Sequence, residues 1–160
     1  MNEIAIHIAG LTEIDSVQPL WEELNKQHAG QSTHFKNRFK KMTWEQRKSR
    51  LLKKADDLIL VYATLKNSDK LIGYCIATTE INSDEIQGEI DSILIEEAYR
   101  GSGIGKKLFE KSLEWLENKG VDSPKLLVAV GNESVLDYYK NFGFYPLHII
   151  MQKRNELNIN

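Results

Sequence analysis

Three glycines in five residues, Gly101, Gly103 and Gly105, stand between a β-rich run and a helix-like one. Glycine loses more freedom on ordering than any other residue and is a poor helix former, so bare backbone at this density marks a loop with its own geometry. Upstream, "QGEIDSILIEE" reads as a strand from about Gln87 to Glu96. Downstream, Ile104, Leu108, Ser112 and Leu116 fall near one stripe of a helix from about Gly103 to Lys119, broken at Gly120. The chain must therefore pass from strand to helix through a glycine loop. Free amides and the helix dipole together attract an anion at such a junction.

The rest of the pattern builds around that unit. Ile4, Ile6 and Ile8 alternate as a first strand, and Thr12 with Asp15 reads as a capping box for a helix carrying Val17, Leu20, Trp21 and Leu24, stopped at Gly30. Residues 31–42 are weakly patterned and basic, and Thr43 with Gln46 is expected to cap a second helix through Leu51 and Leu52. "LILVYATLK" and "KLIGYCIATTEI", parted by "NSD", predict an antiparallel hairpin between Leu58 and Ile81. After the glycine loop and its helix come a short buried strand "KLLVAV", a helix "NESVLDYYKNF" opened by Asn132, and a last strand "FYPLHIIMQKR". This order predicts an α/β (α+β) chain with a mixed, mostly antiparallel sheet flanked by helices.

Length and charge narrow the classes. At 160 residues one core is expected, and 41% hydrophobic with 28% charged residues is ordinary for a soluble domain. The start of the chain reads as a strand and not as a secretory leader, and no run reaches the roughly 18 apolar residues of a membrane span. A lone cysteine, Cys75, precludes an internal disulfide and suits the cytoplasm. The net charge of −2 gives no global pull on nucleic acid or membrane, and the four histidines lack metal-ligand spacing. No metal, nucleic-acid or membrane partner is expected.

Two nucleotide loops fail by spacing. A Walker loop would need Gly where Arg100 stands and a hydroxyl where Lys107 stands; a dinucleotide fingerprint would need Gly at Lys106 or Leu108. "YRGSGIG" instead resembles the coenzyme A loop of the GNAT superfamily of N-acetyltransferases, with Arg100, Gly103 and Gly105 at the patterned positions. "NESVLDYYKNFGF" looks like that family's second signature, through Asn132, Tyr139, Gly143 and Phe144, in the family's order. The proline that often precedes the arginine is replaced by "EEAYR". The resemblance covers residues 58–154 and implies one acetyltransferase domain over 1–160, with 1–55 (a strand and two helices) on the acceptor side and 58–154 as the acetyl-CoA core.

The resemblance further implies acetyl-CoA as cosubstrate, held by the main chain of Ile93, Leu94 and Ile95, by Arg100, Gly101, Ser102, Gly103, Ile104, Gly105 and Lys106, and by Asn132 and Tyr139. The expected reaction moves the acetyl group to a primary amine by direct attack in a ternary complex. An alkylammonium near pKa 10.4 costs roughly 4 kcal/mol to deprotonate at neutral pH, so a base is wanted. Strand alternation places Glu89 and Asp91 on one face, and the family's strand acid falls near Glu89, ranking it first. Tyr139 is the expected donor to the leaving thiolate. Cys75 has no histidine near in sequence and is read as an unreactive thiol, not an acetyl carrier.

Trp21, Phe35, Phe39 and Trp44 are available to line the acceptor wall. A small-molecule amine or a protein amino group fits as acceptor, and the end strand could pair across a homodimer. The alternative reading is a coenzyme A-binding regulatory module without turnover.

Overall fold

The computed structural model describes residues 3–155. Strand β1 (Ile4–Ala9) leads through a 3-10 turn (Leu11–Val17) to helix α1 (Gln18–Gln31), then come α2 (Lys36–Lys41) and α3 (Trp44–Lys54). Strands β2 (Asp57–Leu65), β3 (Leu71–Asn82) and β4 (Glu85–Ile95) follow, then α4 (Ile104–Asn118), the short β5 (Lys125–Leu126) and α5 (Leu136–Lys140). The sheet runs β1-β2-β3-β4-β5, antiparallel except for the β4–β5 pair, which is parallel. A mixed, mostly antiparallel sheet flanked by helices is the architecture that the periodicity predicts.

The described residues group into two compact units. The first runs up to Glu22 and from Trp44 to Leu126, and the second comprises Glu23–Thr43 and the chain from Leu127 on.

In the first unit the sheet has two covered faces. Odd residues of β3 face α4: a Cβ on Gly73 would meet the Leu108 side chain, and one on Gly88 of β4 would meet Leu116 and Val121. Leu108, Phe109, Ser112 and Leu116 of α4 are fully buried, so the stripe read from the sequence is the packed one. Each such large apolar side chain contributes about 1.5–3 kcal/mol on burial. The opposite face receives α3, whose Arg47 and Lys54 reach Asp91 and Glu89 of β4.

Strand β4 carries a bulge. The register pairs Ile76 with Ser92 but Ala77 with Ile90, so Asp91 is skipped. Gly88 and Ile90 therefore share the α4 face with Ile93 and Ile95, although even and odd positions have exchanged between them.

Four expectations are corrected. Asp15 caps nothing: its carboxylate accepts from the Trp44 indole at 2.7 Å and from Lys48 at 2.6 Å. Residues 31–42, patternless in sequence, hold α2. "KLLVAV" shrinks to a two-residue strand among the described residues, where Leu127 and Val130 are exposed and no ladder continues. "FYPLHIIMQKR" forms no strand among the described residues, and its apolar side chains Leu147 and Ile149 lie open instead of on a ladder.

In the second unit, Asn25 Nδ2 donates to the Phe39 carbonyl and the His28 ring lies 5.4 Å from that of Phe39, tying α1 to α2. Gly131, at φ +97°, lets its backbone approach Gln31, where a Cβ would fall 2.5 Å from the carbonyl oxygen.

Candidate acetyl-CoA site

Strand β4 ends at Ile95, and a 3-10 turn (Glu97–Tyr99) carries the chain to the glycine loop. Arg100 Nε donates to the Ile95 carbonyl at 2.9 Å, and Ser102 Oγ donates to the Tyr99 carbonyl at 2.6 Å, so two loop side chains fold back to brace the turn. Gly101 (φ +74°) and Gly103 (φ +82°) take the left-handed conformation that L side chains rarely adopt. Nothing lies within 4 Å of where a Cβ would sit on either glycine. Backbone geometry, not close packing, demands the glycines, and the space before them is open.

Gly103 is the residue before α4, with no side-chain cap, and Lys107 N–H is the first amide to reach back, to the Gly103 carbonyl at 3.2 Å. The amides of Ile104, Gly105 and Lys106 thus open a helix of 15 residues at its positive end. Lys106 stands at the rim, 3.8 Å from Glu110.

The strand before the loop offers a second feature. Ile93, Leu94 and Ile95 pair with Cys75, Tyr74 and Gly73 along one edge, whereas β5 meets β4 only at Glu89 and Ile90. The far edge of residues 93–95 has no ladder partner among the described residues. An extended amide-bearing group could add there as a strand does, running toward the free amides of α4.

Glu89 and Asp91 both reach α3, and both are engaged. Lys54 Nζ bonds Glu89, whose side chain is 7% exposed, and Arg47 bonds Asp91, 9% exposed. Arg47 and Lys54 are seven residues apart, two helical turns, and so lie on one face of α3. Glu89 and Asp91 reach the same helix, as alternation predicts, and the bulge at Asp91 reverses the parity of the residues after it. Burial pushes the Arg47 pKa down, opposed by Tyr74 and Glu89 nearby. A shallow depression lined by Lys54, Thr78, Glu80, Glu89 and Lys125 has the Glu89 carboxylate on its wall.

Near Arg47 lie two buried hydroxyls, Tyr74 Oη and Ser92 Oγ, that meet no full hydrogen-bond criteria among the described residues. Burial raises the Tyr74 phenol far above its ordinary range, against the pull of the Ser92 hydroxyl and the Arg47 charge. Cys75, on the other face, is fully buried and its thiol is pushed up to about 12, a rise that the neighbouring Ser112 hydroxyl opposes. It is therefore protonated at neutral pH and unsuited to carry an acyl group.

Asn132 and Tyr139 belong to the second unit. Asn132 precedes a 3-10 turn (Glu133–Val135) but its side chain makes no capping bond; Glu133 accepts from Gly131 N–H at 2.9 Å instead. The expected capping role is absent and the carboxamide is left for other contacts. Tyr139, half-buried on α5, stacks edge-on with Tyr138 at 5.4 Å, and the Phe142 and Phe144 amides donate to its carbonyl at 3.0 and 3.2 Å.

Trp21 and Trp44 are not wall residues. Their rings pack 5.5 Å apart, 5% and 4% exposed, inside the first unit. Arg47 and Lys54, which hold both strand acids, escaped the sequence reading; their seven-residue spacing opposite two strand acids was the available signal. Among the described residues no cluster of His, Cys, Asp and Glu could hold a metal ion, and no helix is long and apolar enough to cross a membrane.

A strand with one open edge, a braced glycine loop and an uncapped helix N-terminus thus follow one another along the chain. The Acetyltransferase (GNAT) family matches residues 18–144, and the chain belongs to that family. N-alpha-acetyltransferase 30 of Schizosaccharomyces pombe is 32% identical over 79 residues, 49% of this chain and 53% of that protein. Mycothiol acetyltransferase of Corynebacterium efficiens is 33% identical over 91 residues, 56% of this chain and 30% of that one. The chain thus spans about half or less of the length of these curated relatives. Among solved structures, a putative acetyl transferase from Pyrococcus furiosus superposes with TM-score 0.74 at 21% identity, covering 96% of this chain and 100% of the other. Aminoglycoside N-acetyltransferase AAC(6')-Iy in complex with CoA gives 0.61 at 18%, covering 96% and 95%. These two show the shared fold.

Proposed function

We propose that the chain is an N-acetyltransferase that transfers an acetyl group from acetyl-CoA to a primary amine by direct attack in a ternary complex. The observation that carries this is the open β4 edge at Ile93–Ile95 leading to the α4 amides behind Gly101 and Gly103. Bound there, acetyl-CoA supplies an activated thioester, so the protein's task is alignment and proton traffic. The amides of residues 101–106 and the Arg100 and Lys106 charges would take the diphosphate, and the main chain of Ile93, Leu94 and Ile95 the amide-bearing arm.

The acceptor nitrogen must lose a proton before it attacks the carbonyl carbon, and the C–S bond then breaks as the C–N bond is made. Glu89, directly or through a water, is the first-ranked base, and Asp91 the second. In this reading an acceptor ammonium would displace Lys54 Nζ, whose side chain is 41% exposed, from Glu89. Tyr139 is assigned the proton that the departing thiolate takes, and Asn132 a contact to the cosubstrate. The inert Cys75 favours direct attack over a ping-pong route. A small-molecule amine and a protein amino group both suit the reading, and cytoplasm is the compartment we assign.

The test is thiol release from acetyl-CoA over an amine panel, comparing wild type with Glu89→Gln and Tyr139→Phe. Amine-dependent release that falls in both variants supports the assignment. The engagement of both acids by Lys54 and Arg47 favours one rival, a regulatory module that binds coenzyme A without turnover. Thermal stabilisation by coenzyme A with no release across the panel would select that rival; ligand at 100 times its Kd should add about 2.7 kcal/mol.

A further inference from the structure

The charge of the chain is unevenly distributed. Residues 23–43 and 127–155 carry eight basic side chains against three acidic ones, whereas the first unit carries thirteen against nineteen. The excess concentrates on α2, where Lys36, Arg38, Lys40 and Lys41 are all exposed within six residues. Arg38 Nη1 donates to Gln152 Oε1 at 2.8 Å, across 114 positions of sequence. That bond brings Lys153 and Arg154, also exposed, beside α2 and joins six cations in one patch.

Lys36, Lys40, Lys153 and Arg154 have no acidic partner among the described residues. Lys36 and Lys40 face each other at the four-residue helical spacing, where like charges weaken a helix. An external anion would relieve that repulsion.

The chain leading into Gln152 identifies the anion's class. Leu147, Ile149, Ile150 and Met151 are 76–90% exposed, and residues 145–151 make no ladder hydrogen bonds among the described residues. Unpaired backbone with apolar side chains, ending in cations, complements a polypeptide that alternates apolar and acidic residues. A nucleic acid would use the cations and leave the leucine and isoleucines in water, and the acidic excess of the remaining chain would oppose a long polyanion. We propose that α2 and residues 145–154 form a docking surface for an acidic, partly apolar polypeptide segment. This does not rest on the acetyl-transfer reading.

The test is fluorescence anisotropy with the full chain and a labelled peptide alternating Glu with Val. Binding should weaken about tenfold in Lys36→Glu/Lys40→Glu and in Lys153→Glu/Arg154→Glu, and fall as salt shortens the Debye length from about 10 Å towards 3 Å. Lys111→Glu, an exposed charge on α4, should leave it unchanged, and circular dichroism of each variant checks that the fold is kept. Absence of peptide binding, equal binding by both double variants and wild type, or equally tight binding of a single-stranded RNA of matched charge would each overturn the proposal.

Discussion

Arg47 of α3 holds Asp91, the one residue that the β3–β4 register passes over. A bulge leaves one residue outside the ladder, and here that residue's carboxylate meets a half-buried guanidinium. The pair and its neighbour Lys54–Glu89 fasten one helix to the strand that precedes the glycine loop.

Breaking that fastening from one side should be costly. Arg47→Ala leaves Asp91 in a site where it is only 9% exposed, and removal of one partner of a buried pair costs about 3–5 kcal/mol. Arg47→Met with Asp91→Leu should recover most of the loss. Urea midpoints at constant m-value measure both.

Lys54 predicts a split in the kinetics. If Nζ stands where the acceptor ammonium docks, Lys54→Ala should lower KM for a cationic amine while kcat stays within about twofold. Glu89→Gln should lower kcat by about 10²–10⁴ if Glu89 is the base. A KM unchanged in Lys54→Ala would separate Glu89 from the acceptor.

Two glycines should answer differently to the same substitution. Gly131→Ala drives a methyl to 2.5 Å from the Gln31 carbonyl oxygen, at φ +97°, and should lower Tm by several degrees, for a loss of about 2–3 kcal/mol. Gly101→Ala has open space at φ +74° and should cost only about 1–2 kcal/mol of backbone strain while weakening coenzyme A binding. Calorimetry with and without coenzyme A separates the two effects.

Cys75 gives stability a pH dependence on the alkaline side. Burial raises the thiol from 9.0 to about 12, so the folded chain keeps a proton that the unfolded one releases between those values. Stability from this group is intact below pH about 9 and falls by about 1.4 kcal/mol per pH unit as pH rises toward 12. Cys75→Ala should flatten that limb of the stability profile, and iodoacetamide should not label the folded wild type at pH 8.

The legible parts of the sequence were those with a strong period or fixed φ. The α4 stripe, the β2–β3 hairpin and the glycine loop all rest on local rules, and the structure realises each. Helix α2 has too few apolar positions to show a period, and it forms where Asn25 and His28 hold Phe39. The Asp91 bulge was hidden because alternation is an assumption about register, and register depends on the partner strand. For the same reason Asp15 read as a cap when it serves Trp44 and Lys48, both distant in sequence. Of the proposed cradle, the glycine loop could be read from its residues and the other contacts followed only from the family resemblance; the unpaired β4 edge depends on how early β5 stops, which no local pattern encodes.

The skipped residue also makes β4 a strand in two phases. Ile90 and Ile93 both look toward α4 while Ser92 and Leu94 look away, so parity reverses partway along. A one-residue insertion or deletion before the bulge could be accommodated by shifting where the kink falls, but one after it would turn Ile95 outward and rotate the whole mouth of the loop. Length variation among kindred chains should accordingly be tolerated on the Glu85 side and purged on the Ile95 side.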